Sequence, residues 1–218
     1  KAIVKEAQKL VPDFEAFHTN PEGKILQATL PTYGKTVNEG DMILCRCNAP
    51  LVSQCFRFLK DGRKATIQGR DVGQGLISTV KKLMKEPERE MEFSVVTFLG
   101  RLSDWLHAEQ SKENAKRNPS ESKLINLQDR YNCLTCFCDG LAKCTELITK
   151  IESVFTDDRS NKGILLSSIH KSKGLEANRV FILQLKGASV PHPMAKTAWQ
   201  KDQESNLLYV GITRSILE

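Results

Sequence analysis

The 218-residue sequence has no apolar run long enough to span a bilayer; Val180–Leu183 is typical of its longest. A membrane partner is therefore not expected. The chain opens on Lys1 with no secretory leader, so it reads as a piece of a longer polypeptide. Aromatic residues are scarce, at 6%. The phosphate-loop pattern G-x-x-x-x-G-K-[ST] occurs nowhere, which excludes a self-contained Walker A nucleotide site. There is no internal repeat and no long low-complexity tract. Seven cysteines, an odd number without a signal peptide, argue against a disulfide scaffold and for free thiols in a reducing compartment.

What is present is an ordinary globular composition, 40% hydrophobic and 27% charged. Lys and Arg number 32 against 26 Asp and Glu, a net charge of +6. That balance permits nucleic-acid binding without demanding it. The length suits one domain, or one domain with an insertion.

Along the chain, Ala2 to Val11 has helical periodicity and stops at Pro12. Lys24–Leu30 reads as a strand, and Met42–Cys45 as a short buried one. Asn48 is placed to cap a helix with Pro50 in its first turn and Leu51, Val52, Cys55, Phe56 and Leu59 facing inward. Lys64–Ile67 is strand-like, and Asp71–Leu83 helical. This alternation predicts an α/β domain built on a parallel sheet. From about Lys85 to Asp158 strand signals nearly vanish. The polar stretch Ser111–Ser122 reads as a break. A stripe from Leu124 through Leu127, Tyr131, Leu134, Cys138, Leu141, Cys144, Ile148 and Ile151 to Phe155 then predicts one long helix. Strands return at Ile164–Ile169 and Val180–Leu185, and a last helix is expected from about Gln203.

Cys133, Cys136, Cys138 and Cys144 invite a metal reading because Cys133 and Cys136 make a C-x-x-C step. The segment around them reads as continuous helix, with no paired His or second C-x-x-C at ligand spacing. Packed thiols are the expected outcome, and a metal-binding regulatory module ranks last.

Three segments carry chemistry. The first is Asp41–Leu51, a strand ending in Arg46 before a helix. An Arg there points into the crevice where α/β sheets bind ligands; an Arg in a salt bridge is an equal alternative. The second is Ile164–Glu176, a buried strand running into His170 and then Lys-Ser-Lys-Gly. Such a loop suits a phosphate or nucleic-acid backbone, although a lone His at a strand end is more often structural. The third is Gln203–Ser215, an apolar helix ending in Thr213-Arg214, a weak signal by itself.

Together and in this order, the segments resemble the C-terminal motor motifs of the UvrD/Rep family of superfamily 1 DNA helicases. Arg-x-Asn-Ala at Arg46 is similar to motif IV, and Ile67–Gly73 to motif IVa. Ser167–Glu176 is similar to motif V, and Glu204–Arg214 to motif VI. Residues 1–7 are similar to the helix that follows the family's Asn-Tyr-Arg signature. The resemblance covers about 1–12, 41–80 and 163–215.

It implies a RecA-like α/β domain, called 2A in the family. Its first part would be residues 1–80 and its second part 163–218, separated by a mostly helical insertion at 81–162, a reduced form of the family's 2B domain. It also implies the cofactors ATP and Mg2+, bound mainly through a partner N-terminal RecA-like domain (1A). The implied nucleic-acid partner is single-stranded DNA or a single-strand/duplex junction, and the implied location is the nucleoid-associated cytoplasm. Carried over residue by residue, Arg46 and Arg214 match catalytic arginines approaching the γ-phosphate. Glu176 matches a ribose acceptor, and Gly174 a close backbone approach to the nucleotide. Ser168 and His170 match DNA-facing motif V positions, while Arg70 and Asp71 match positions coupling nucleotide state to DNA. Ala177 stands where relatives often have an aromatic, and Ser215 where Ala is usual; neither change removes a charge. With no Walker A, Walker B or Gln-rich sensor motif, and an end just after motif VI, the chain is expected not to hydrolyse ATP alone. The alternatives are the motor part of a RecB- or AddA-like helicase–nuclease, and a non-hydrolysing helicase-like module that binds DNA.

Overall fold

Parallel strands buried on both faces must be apolar throughout, because neither face meets water. Met42–Cys45 satisfies this: all four residues are buried. In the computed structural model, which describes residues 1–84, 94–156 and 163–218, they form β1 near the middle of a sheet. The other strands are β2 (Ala65–Gln68), β3 (Phe155–Thr156), β4 (Ile164–Ser168) and β5 (Val180–Leu183). All pairings are parallel and the order is β3-β2-β4-β1-β5.

Eight helices accompany the sheet among the described residues: α1 (Ala2–Ala7), α2 (Leu30–Thr36), α3 (Asn48–Lys60), α4 (Arg70–Leu83), α5 (Val95–Asn114), α6 (Glu121–Cys138), α7 (Thr145–Val154) and α8 (Ala198–Ile212). Alternate residues of β1 serve opposite faces, as the strand period of two requires. Ile43 and Cys45 join a large core with α3 to α7, while Met42 and Leu44 join a smaller one with Ile169, Leu175, Val190 and Leu207 of α8.

Several sequence expectations are corrected. Lys24–Leu30 is not a strand. Ile25 and Leu26 are 48% and 66% exposed, and the segment's N–H at Lys24 bonds only the Leu217 carbonyl (2.7 Å). The regular element there is α2, with Pro31 in its first turn, where a missing N–H costs nothing. On α3 the inward stripe is Leu51, Val52, Cys55 and Phe58; Leu59 points out at 43% exposure. Asn48 is the first helical residue rather than the cap. The orphan amides of that turn are satisfied instead by the Asp129 carboxylate of α6, which accepts from the backbone N–H groups of Asn48 and Ala49 (2.9 Å each) and from Asn48 Nδ2 (3.0 Å).

The predicted long helix is two helices and a strand. α6 ends at Cys138 because Gly140 takes φ +74°, a left-handed conformation that ends helices. The apolar stripe runs on through the break because α6 and α7 bury against the same core, and its last residue, Phe155, lies in β3 beside Ile67. The polar break after α5 is shorter than Ser111–Ser122, covering only 115–120. α8 begins at Ala198, five residues before the expected start. Gln200 Oε1 accepts from the N–H groups of Thr197 (2.8 Å) and Lys196 (2.9 Å), closing the helix entry. Among the described residues no helix is long and apolar enough to cross a membrane.

Candidate functional site

The C-terminal ends of β1, β2 and β4 lie along one edge of the sheet, so the residues just beyond them are brought together. Arg46 comes directly after β1, Arg70 opens α4 just beyond β2, and Ser168 ends β4, level with Cys45. Crevices at this edge are where open α/β sheets bind ligands. Lys171 ties two of the segments: its ammonium bonds the Asp71 carboxylate at 2.5 Å and holds that carboxyl below its usual range.

Ser168 is buried in the turn after β4. Its carbonyl accepts from the N–H groups of Lys171 and Ser172 (3.0 Å each), and its Oγ also lies 3.4 Å from the Lys171 nitrogen. It therefore shapes the turn that presents His170, which keeps an exposed side. Crowding by the protein on the other side, and then the Arg46 charge, push the His170 imidazole below its ordinary value. Arg70 is exposed at the start of α4.

Arg46 has a carboxylate partner. Its Nε lies 3.0 and 3.1 Å from the two Glu204 oxygens of α8, and a terminal guanidinium nitrogen lies 2.9 Å from Oε1. Both side chains are only 11% exposed. Glu204 Oε2 also accepts the backbone N–H of buried His192 (3.0 Å), and His192 Nδ1 lies 3.3 Å from the Met194 N–H. Burial first, then Arg46, lower the His192 pKa. One buried carboxylate thus joins the end of β1, the 190–194 loop and α8.

Arg214 lies just past the C-terminal end of α8. It lies ten positions beyond Glu204 along the chain. Its Nε donates to the Val210 carbonyl (3.0 Å), Nη1 to the Leu175 carbonyl (3.3 Å) and Nη2 to the Thr213 hydroxyl (3.1 Å). A guanidinium has five N–H donors, so two remain. The backbone around Arg214 is pinned to the same loop: the Ala177 N–H bonds the Arg214 carbonyl (3.1 Å), and Ala177 pairs with Ser215 in a parallel bridge. One residue before that bridge is Glu176, exposed and without a hydrogen-bond partner among the described residues. Gly174 has φ +78°, and a Cβ added there would meet nothing within 4 Å. A cation with spare donors, an open acceptor and bare backbone therefore sit side by side.

The family described as the UvrD-like helicase C-terminal domain matches residues 8–216. This chain belongs to that family. No curated protein matches the chain. The RecA-like α/β fold expected of a UvrD-like C-terminal domain agrees with the all-parallel sheet and its flanking helices.

Glu204, Lys171, His192 and Asp129 shape this UvrD-like site; sequence reasoning places Glu204 in motif VI and Lys171 in the basic loop without their partners, and passes over His192 and Asp129. Glu204 meets Arg46 across 158 positions, a pairing that no local pattern marks. In the region of the four clustered cysteines, Cys133, Cys138 and Cys144 are buried and Cys136 is half-buried, all as free thiols. Burial pushes the Cys138 thiol up to about 12 and Cys144 to about 11. Among the described residues no three His, Cys, Asp or Glu side chains gather as a metal set.

Proposed function

We propose that this UvrD-like C-terminal domain is the second motor half of an ATP-dependent DNA helicase or translocase, of 3′-to-5′ polarity as its family implies. The observation that carries the reading is the Arg214–Glu176–Gly174 cluster. Its donors and acceptor fit the outer half of a nucleotide site whose phosphate loop and Mg2+ ligands belong to an N-terminal RecA-like domain. Bound ATP supplies the phosphoanhydride whose cleavage drives the cycle.

The residues of this chain do the rest. The two unused N–H groups of Arg214 serve the γ-phosphate, where a planar guanidinium matches charge spread over several oxygens. The Glu176 carboxylate accepts from a ribose hydroxyl, and the missing side chain at Gly174 lets backbone approach. Arg46 acts as a positioning residue: its buried bond to Glu204 fixes the start of α3 against α8. At the sheet edge, His170, Arg70 and the turn held by Ser168 face single-stranded DNA or its junction, and the Lys171–Asp71 pair links that turn to α4. Alone, the domain binds ATP poorly and does not hydrolyse it.

The test is DNA-stimulated ATP hydrolysis by the full-length protein. Arg214→Ala is expected to lose ~10³-fold or more, the scale of an arginine finger, with DNA binding retained. An unchanged rate, or no ATPase in the wild type, would leave a DNA-binding module as the better account.

A further inference from the structure

On the side of the domain formed by α4, α5 and α6 lies a cavity of about 400 Å³. Lys82 comes from near the end of α4, Trp105 and Glu109 from α5, and Lys123, Asn126 and Arg130 from α6. The cavity stands apart from the motor edge: Lys82 lies 12 residues along α4 from Arg70, about 18 Å of helix.

Its charges are unevenly committed. Glu109, its one acid, is engaged by Lys112 at 3.0 Å. Lys123 bonds Glu113 at 2.8 Å, and that buried carboxylate also takes Lys116 (2.8 Å) and the Ser120 N–H (3.0 Å). Arg130 spends one N–H on the Thr79 hydroxyl (3.2 Å) and has no carboxylate partner among the described residues. Lys82 has no hydrogen-bond or ion-pair partner among them at all. Two cations without an ion-pair partner among the described residues thus flank a half-buried indole in a polar pocket of small-ligand size.

From this arrangement we propose a nucleotide-binding pocket. Lys82 and Arg130 take the phosphate, the Trp105 ring stacks on the base, and the Asn126 amide meets the base edge. Cations beside an aromatic platform are how proteins hold nucleotides without sequence preference. The volume suits one nucleotide rather than an extended acidic peptide. The nucleotide is either free or one unit of a single strand, since both present the same phosphate and base.

The chain has two tryptophans, so Trp199→Phe, at a 63% exposed position, leaves Trp105 as the sole indole reporter. Its fluorescence is titrated with AMP, an oligo(dT) octamer, inorganic phosphate and a polyglutamate peptide. Saturable quenching by AMP supports a free-nucleotide site, and quenching by the octamer alone supports a strand-borne nucleotide. In either case Lys82→Glu, a change at an exposed residue, weakens binding at least tenfold, and Arg130→Gln does so in the same direction. The proposal is overturned by any of four results: no quenching by either nucleotide probe, phosphate matching AMP in affinity, polyglutamate binding as tightly as the nucleotides, or indifference to Lys82→Glu in a variant with unchanged melting temperature.

Discussion

Two arginines meet α8, one through Glu204 at its middle and one just past its C-terminal end, and they keep different partners. At the middle of the helix, Arg46, its side chain 11% exposed, has the Glu204 carboxylate as its partner. Just past its end, Arg214 bonds two carbonyls and a hydroxyl, and its neighbouring carboxylate, Glu176, has no hydrogen-bond partner among the described residues. In the proposed function the same side chain is a structural tie in one place and a ligand in the other. A motif match treats them as a pair, and their partners differ.

The contrast is sharpest if one arginine alters rate and the other stability. Beyond the ATPase loss expected for Arg214→Ala, that variant should melt within a degree or two of wild type. Arg46→Ala should instead cost about 3–5 kcal/mol in denaturant unfolding, because it strands the Glu204 carboxylate in a buried site. Replacing both partners, Arg46→Met with Glu204→Leu, should recover much of that loss. A double variant no better than the single would show that the His192 bond to Glu204, and not the ion pair, dominates the site.

A smaller effect separates the two ends of α3 in the same spirit. Asp129→Ala removes the acceptor for the first amides after Cys47 and should cost about 1–2 kcal/mol, the range for a lost helix cap. Because that turn carries Arg46, the variant should also weaken the Arg46–Glu204 coupling measured by a double-mutant cycle.

The smallest effect is a pH dependence. The folded-state pKa values of His170 and His192 lie below the ordinary 6.5. Below 6.5 the unfolded chain therefore binds more protons than the folded one, so stability falls with pH from about 6.5 down through the folded-state values. His192→Gln should flatten this fall in urea midpoints measured across that range. An unchanged slope would assign it to His170 or to carboxylates.

Much of this arrangement is visible in the sequence, and the reasons for the rest are physical. β1 and β4 show themselves as short, mostly apolar runs because both faces of an interior parallel strand are buried, and β5 at the sheet edge is as apolar though only half-buried. The break after α6 is signed by Asp139-Gly140, yet a stripe of threes and fours overrides that sign when two successive helices share one core. Lys24–Leu30 looks like a strand by composition, but it has no neighbour to pair with. The motif residues themselves can be read along the chain. Their partners cannot, since Glu204 and Asp129 reach across 158 and 81 positions, where only folding sets the distance.

The carboxylate of Asp129 has a consequence for anyone trimming this protein. A helical insert tethered only at its two ends could be cut out and bridged by a short linker. Here α6 supplies the acceptor that closes the first turn of α3, so excision would open the helix immediately after Arg46. A minimal version of the domain therefore has to keep α6, or install a Ser or Asp at position 47 to close that turn from within.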